Sequence, residues 1–341
     1  MKRTTLITLV LALGLALTTG TTHGGEIGHY APGLINIRDL IVPAPGLYGV
    51  LYNYYYTSDR LNDGNGDKID SVTINPGDGS GVPLTVDVDV DVYVLAPTLI
   101  WVSPWKILGA KYGAFISPTF ANASVGASLA TATGRGADAE TSQFGVGDLF
   151  VQPLWLGWSL THWDVTLGYG FYAPIGKYDT STATLPGGAS VTAEAADNIG
   201  LGFWTNQFQG ALTWYPWAHK GTAVVAGLTY EIHSDKEDFD LTPGQNLTLN
   251  WGISQFLALT KDQKLLLEAG LTGYSSWQIT DDSGSDARNP DVRDQVHAIG
   301  GQLGLTYVPW VASLNAHYFG EFSAQDRFQG HVFGVSVAKK L

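Results

Sequence analysis

The chain has 341 residues and a formal charge of -13, with 18 basic residues against 31 acidic ones. Such a surface repels nucleic acid at long range and excludes DNA or RNA as an expected partner. Cysteine is absent, which removes disulfide staples, thiolate catalysis and cysteine-ligated metals from consideration.

The first element reads as an export signal. Lys2 and Arg3 precede an apolar run over 6–17, and small and polar residues follow as far as Gly25. That order of charge, short greasy centre and small-residue tail describes a secretory signal peptide, and the run is too short for a membrane helix. Residues 1–24 are expected to be removed, with cleavage somewhere from Gly20 to Gly25. Loss of Lys2 and Arg3 leaves 18 less 2, or 16, basic residues and a charge of -15. Residues 25–45 then form an N-terminal segment, expected either to hang in the periplasm or to enter a lumen as a small plug.

From residue 46 the period is two. Tyr48, Val50, Tyr52, Tyr54 and Tyr56 share one face of a strand, with Asn53 and Thr57 opposite. Over 85–94, valines hold every even position while Asp87, Asp89, Asp91 and Tyr93 hold odd ones, which gives an apolar face and an acidic face. Two looser segments, 108–123 and 144–159, follow. Trp163, Val165, Leu167, Tyr169 and Phe171 then alternate with Asp164, Thr166 and glycines. Phe208, Leu212 and Trp214 oppose Gln207 and Gln209, and Val224, Leu228 and Tyr230 oppose Thr229 and Glu231. Leu249, Trp251 and Ile253 continue the series, then Leu265, Leu267 and Leu271 against Glu268, and Ile299, Leu303 and Leu305. Leu314, Ala316 and Tyr318 oppose Asn315 and His317, and Phe333, Val335 and Val337 close it.

Connections alternate between short turns, as at 159–162, 216–220, 260–263 and 309–310, and long polar loops, as at 58–84, 176–202, 234–246 and 280–294. Charged residues are only 14% of the chain, against roughly 25% in ordinary soluble domains. There are 16 tyrosines and 11 tryptophans, yet no second apolar run long enough for a membrane helix. The expected fold is all-β: a transmembrane antiparallel β-barrel of about 12 strands over 46–341 in the outer membrane of a Gram-negative-type bacterium. Trp101, Trp105, Trp204, Trp214, Trp217 and Trp310 suit its interfacial girdles. A secreted β-sandwich is the competing architecture, since alternation alone does not say whether apolar faces meet lipid or a second sheet.

Several stretches together are similar to the "meta-pathway of phenol degradation" family. They are Pro45-Gly46-Leu47-Tyr48, Asn53-Tyr54-Tyr55-Tyr56-Thr57-Ser58-Asp59-Arg60-Leu61-Asn62-Asp63, Ala96-Pro97-Thr98-Leu99-Ile100-Trp101-Val102, Gly145-Val146-Gly147-Asp148-Leu149-Phe150-Val151-Gln152-Pro153, Phe171-Tyr172-Ala173-Pro174-Ile175-Gly176-Lys177-Tyr178-Asp179 and Asn198-Ile199-Gly200-Leu201-Gly202-Phe203-Trp204. The resemblance implies an outer-membrane protein that passes small, aromatic or otherwise hydrophobic molecules. It brings no catalytic residues with it.

Searches for other chemistry end early. Asp63-Gly64-Asn65-Gly66-Asp67 opens like a calcium loop, but Lys68 stands where a glycine is needed and Ile74 where a bidentate glutamate belongs. An exposed turn accounts for it, since Asp-Gly and Asn-Gly pairs suit tight turns. No zinc, nucleotide or Gly-x-Ser-x-Gly motif appears, so no cofactor or metal is expected. The expected function is passive passage of small hydrophobic or aromatic solutes, with outer-membrane lipid and the solute as partners. An outer-membrane hydrolase or a structural, surface-binding barrel are the alternatives. Expected pore-lining residues are Asp87, Asp89, Asp91, Asp164, Gln207, Gln209, Glu231, Glu268, Asn315 and His317, on the premise that apolar faces turn to lipid.

Overall fold

A computed structural model describes residues 27–74, 81–131, 133, 136–184, 190–195, 198–287 and 289–341. The expected signal peptide lies outside the described residues. The strands are β1 (Gly46–Ser58), β2 (Ser71–Ile74), β3 (Val82–Ile107), β4 (Ala110–Ser117), β5 (Phe120–Thr131), β6 (Gly136–Val146), β7 (Leu149–Ser159), β8 (Trp163–Ala173), β9 (Thr180–Thr184), β10 (Ser190–Glu194), β11 (Thr205–Trp214) and β12 (Thr222–His233). They continue with β13 (Asn246–Ala258), β14 (Leu265–Gln278), β15 (Gln295–Tyr307), β16 (Ala312–Gln325) and β17 (His331–Lys340).

The alternating segments pair with their neighbours, and the ladder closes. β1 lies antiparallel to β17 on one side, with Tyr48 opposite Lys340, and to β3 on the other, with Gly46 opposite Val102. The ring runs β1, β17, β16, β15, β14, β13, β12, β11, β8, β7, β4, β3 and back, which is twelve strands. Closure removes the open edges that hydrocarbon cannot hydrate. β5 and β6 continue β4 and β7 beyond the ring, after breaks at Pro118-Thr119 and Gly147-Asp148; β5 pairs with the first half of β3, and β6 pairs with β5. Short turns lie at the end that holds the start of β1 and the end of β17, which marks the periplasmic side.

The outward surface carries the greasy faces of most strands: Leu212, Leu228, Ile253, Leu271, Leu303, Leu314 and Val335 are all exposed. Aromatic girdles border this band. Trp163 and Trp214, Trp101 and Trp105, and Tyr307 and Trp310 pair at the short-turn end. Tyr169 with Phe208 and Tyr318 with Phe333 sit at the other.

Two faces turn the opposite way from the sequence expectation. In β1 the tyrosines point inward: Tyr48, Tyr52 and Tyr54 are buried, while Leu47, Leu51 and Tyr55 face out. Tyr phenols find polar partners there, with Tyr52 Oη donating to Asp39 at 2.9 Å and Tyr56 Oη to Glu321 at 3.0 Å. In β3, Val86 is buried and Val94 packs on the inner core, so Asp87, Asp89 and Asp91 face outward. Tyr55, itself on the outer face, donates its hydroxyl to Asp91 at 2.6 Å. The physical reason is height. Ser58, the last residue of β1, pairs with Val90, so Asp87 and Asp89 lie on the projecting extension past the lipid-facing wall, where an outward carboxylate stays hydrated.

The chain before β1 runs inside the ring. Within residues 28–44, polar and apolar groups touch inward side chains from β1, β4, β7, β8, β11, β12, β13, β14, β15, β16 and β17. A segment reached from so many strands of a closed ring lies in its lumen.

Candidate functional site: the occupied lumen

At the periplasmic end, inward Asp164 accepts from Tyr215 Oη at 2.5 Å and Lys220 Nζ at 2.9 Å. Nearby, Arg38 of the luminal segment donates to Glu268 at 2.8 Å, to Ser254 Oγ at 2.9 Å and to the carbonyls of Lys220 and Gly221. Its guanidinium lies 4.1 Å over the Phe256 ring. The second Glu268 oxygen accepts from Gln302 Nε2 at 3.2 Å. This buried ion pair has nearly every donor engaged, the condition under which such a pair holds rather than destabilises.

One turn of chain further in, Asp39 accepts from Asn36 N and Nδ2, each at 2.8 Å, and from Tyr52. Burial pushes the Asp39 carboxyl up to about 6, against the pull of those donors. Asn36 also donates to Ser336 Oγ at 2.8 Å, and its carbonyl lies 3.3 Å from His317 Nδ1. Asn315 Nδ2 reaches the same Ser336 at 3.5 Å, and Ile37 N donates to Gln302 Oε1 at 2.9 Å.

Toward the outer end, Tyr30 N donates to Glu231 at 2.9 Å and Asn250 Nδ2 donates to Tyr30 Oη at 3.0 Å. His29 stacks on Tyr172 with ring centroids 4.7 Å apart. Its Nε2 lies 2.9 Å from Asp148 Oδ2 and its Nδ1 2.7 Å from Thr205 Oγ1. Asp148 also accepts the backbone N–H groups of Gly176 and Leu201, both at 2.9 Å, so one carboxylate ties the luminal segment to both ends of the long outer connection between β8 and β11.

Between these polar ties the fit is steric. A Cβ on Gly157 would strike Val42, one on Gly227 would strike Leu40, and one on Gly252 or Gly270 would strike Ile37. The wall strands carry inward glycines where the segment approaches, because no other residue leaves room. A cavity of about 20 Å³ remains beside Ile37, Asn250, Thr272 and Phe319, space for roughly one water. Among buried threonines, serines and glutamines the inner surface also carries aromatic contacts: Phe115 packs at a tilt on Phe150 and edge-on against Trp155, Phe150 packs on Tyr172, and Tyr274 on Phe319.

The chain matches the family model for the MetA-pathway of phenol degradation over residues 58–337. It belongs to that family. Among solved structures, the COG4313 outer membrane channel from Pseudomonas putida F1 is similar at a TM-score of 0.59 and 16% identity, over 92% of this chain and 100% of that one. A Pseudomonas aeruginosa FadL homologue aligns over 94% of this chain and 96% of its own, at 13% identity and a TM-score of only 0.40. No functionally curated protein is detectably similar in sequence. As a member of the phenol-degradation family with a closed twelve-strand ring, the protein is an outer-membrane β-barrel of a Gram-negative bacterium.

In this family member, the residues expected to line a pore divide into three groups. Asp164, Glu231, Glu268, Asn315 and His317 face inward but are buried and engaged, all except Asp164 within the lining beneath the luminal segment. Gln207 and Gln209 face inward on β11, with Gln207 buried and its Oε1 lacking a partner among the described residues. Asp87, Asp89 and Asp91 are outside altogether. The residues that organise the lumen and were missed are His29, Arg38, Asp39 and Asp148. A signal existed in the adjacent Arg38-Asp39 pair, isolated charges in an otherwise apolar stretch. Among the described residues no group of three or more His, Asp or Glu side chains is placed to hold a metal.

Proposed function

We propose that this barrel is a channel for passive uptake of small hydrophobic or aromatic solutes, closed at rest by residues 27–45. The observation that carries the proposal is the lining. Where a porin for ions presents hydrated charge, this lumen presents packed aromatic rings among buried, hydrogen-bonded polar groups and a peptide held by side chains, with Arg38 paired to Glu268 and Lys220 to Asp164. An aromatic solute slides along such a surface by exchanging one ring contact for another, at a cost far below that of stripping water from an ion. Family membership supports the same direction, and no energy-coupling or nucleotide motif argues for active transport.

Movement of the luminal segment is the step that opens the path. Its contacts are noncovalent, and its tightest ones are concentrated at Arg38, Asp39 and His29. The test is solute flux into liposomes holding the mature barrel. Neutral aromatic solutes are expected to enter faster than sugars or ions of equal size, and deletion of 27–42 is expected to raise all rates and erase the preference. Equal rates for aromatic and charged solutes in the intact protein would refute the proposal.

A hydrolase has one observation in its favour. Asp148, His29 and Thr205 are connected as an acid, a base and a hydroxyl. However, Thr205 is 0% exposed and its Oγ1 also lies 2.7 Å from His233 Nδ1. A nucleophile needs a face open to substrate, so the arrangement serves better as a latch. Thr205→Val is expected to leave esterase assays at background level, as in the parent, while loosening the N-terminus.

A further inference from the structure

The acidic turn that looked unremarkable in the sequence has a neighbour that only the fold supplies. Asp326, in the connection after β16, points its carboxylate at the 63–67 turn. A Cβ on Gly64 would lie 3.0 Å from Asp326 Oδ2 and 3.3 Å from Oδ1. Asp326 is only 8% exposed, and its Oδ1 is buried with no hydrogen-bond partner among the described residues. Asp63 stands beside it: Asp326 N donates to the Asp63 carbonyl at 3.0 Å. One Asp63 oxygen is occupied by the N–H groups of Asn65 and Asp67, both at 2.9 Å.

The guanidinium groups nearby hold other acceptors, with Arg327 Nε left without a partner among the described residues. Arg327 donates to Asp294 at 2.6 Å, and Arg60 to Asn62 at 2.7 Å and to the Gly66 carbonyl at 3.1 Å. Asp326 Oδ1 is thus a buried carboxylate oxygen without a partner among the described residues. A buried carboxylate oxygen left without a partner is costly, and a hard cation relieves it by taking that oxygen as a ligand.

We propose that Asp63 and Asp326, with backbone carbonyls of the 63–67 turn, bind a calcium ion that clips the first outer loop to the last. Two carboxylates are fewer than the three acidic groups of a side-chain cage, so carbonyls and water complete the shell, an irregular geometry that calcium accepts and magnesium does not. The position gives the ion a structural task. Asn62 N donates to Arg327 O and Gln329 N to Arg60 O, both across the junction where β1 meets β17. The clip therefore secures the seam at which the chain's first wall strand meets its last.

The test uses the mature barrel, refolded in detergent without lipopolysaccharide and stripped with EDTA. Calcium alone is titrated while thermal unfolding is followed, with terbium luminescence as a second readout of binding. The parent is expected to rise in Tm by a few degrees, with half-saturation at about 0.1–1 mM, the range of extracellular calcium modules. Asp326→Asn is expected to lose that response and, in EDTA, to unfold at or above the parent's temperature. Asp63→Asn, which keeps a turn-capping oxygen, is expected to weaken the response at least tenfold and serves if the first variant does not refold. No calcium response in the parent, an equal response to magnesium, or an undiminished response in Asp326→Asn would overturn the proposal.

Discussion

The acidic row of β3 and the polar rows of β11 to β14 look alike in sequence, yet the barrel uses them oppositely. On β12 and β14, Glu231 and Glu268 turn inward while Leu228 and Leu271 meet lipid. On β3, the valines turn inward and Asp87, Asp89 and Asp91 turn out. A strand within the lipid band must show its apolar side to hydrocarbon, because an outward charge there is destabilising in proportion to its depth. Past the band both sides of a strand are wet or packed on protein, and that constraint vanishes. Height in the membrane, not alternation, decides which face is the lining.

Substitution can sharpen that contrast, beginning where the inner rows are tied. Arg38→Met leaves Glu268 buried without its cation, which typically costs about 3–5 kcal/mol. The expected result is release of the luminal segment, seen as new protease cleavage within 27–45 and a rise in flux of at least tenfold. Protection equal to the parent would show that the ion pair is not what holds it.

Gly270→Val attacks the same contact sterically, from the wall side. Its new side chain competes with Ile37 for one space, an overpacking worth about 1–3 kcal/mol. The barrel should still assemble, with heat-modifiable migration unchanged, while the segment becomes less protected. Failure of the barrel itself to form would instead mean that the segment is required for wall assembly.

A smaller effect is expected from pH. Asp39 has its carboxyl raised to about 6 in the docked lumen, against about 4 when free. The docked state therefore holds more protons than the released one between those values, and docking weakens as pH rises through that window. Flux should climb between about pH 4 and 6 and level off above it. Asp39→Asn should flatten the climb, and a parent profile that instead falls with rising pH would contradict the assignment.

The smallest effect belongs to the outer row. Replacing Asp87, Asp89 and Asp91 together by serine is expected to leave ion selectivity and solute flux within about twofold of the parent, as surface changes usually leave stability within about 0.5 kcal/mol. A loss of cation preference would return these residues to the lumen.

Much of the fold was legible from the chain. The strand positions, the short and long connections, and the tryptophans at strand ends follow from local alternation and turn chemistry: Trp217 and Trp310 are exposed at turns, and Trp105 is exposed in the last residues of β3. Inward placement of Glu231, Glu268 and His317 followed too, because each shares a strand with lipid-facing leucines or aromatics. β1 misled because Tyr48, Tyr52 and Tyr54 are amphipathic, equally at home in a girdle or against a polar lumen. Asp63 and Asp326 could not be connected at all, since 262 intervening residues separate a turn from the loop that completes it.

By itself, then, the sequence determined that alternating ribbons must form and that their edges must be hidden, since period and backbone polarity are local properties of the chain. Only the closed ring decided what each face touches. Burial is a relation between distant segments, and it was the register of β1 between β17 and β3, with residues 27–45 drawn inside, that turned tyrosines to the lumen and aspartates to water.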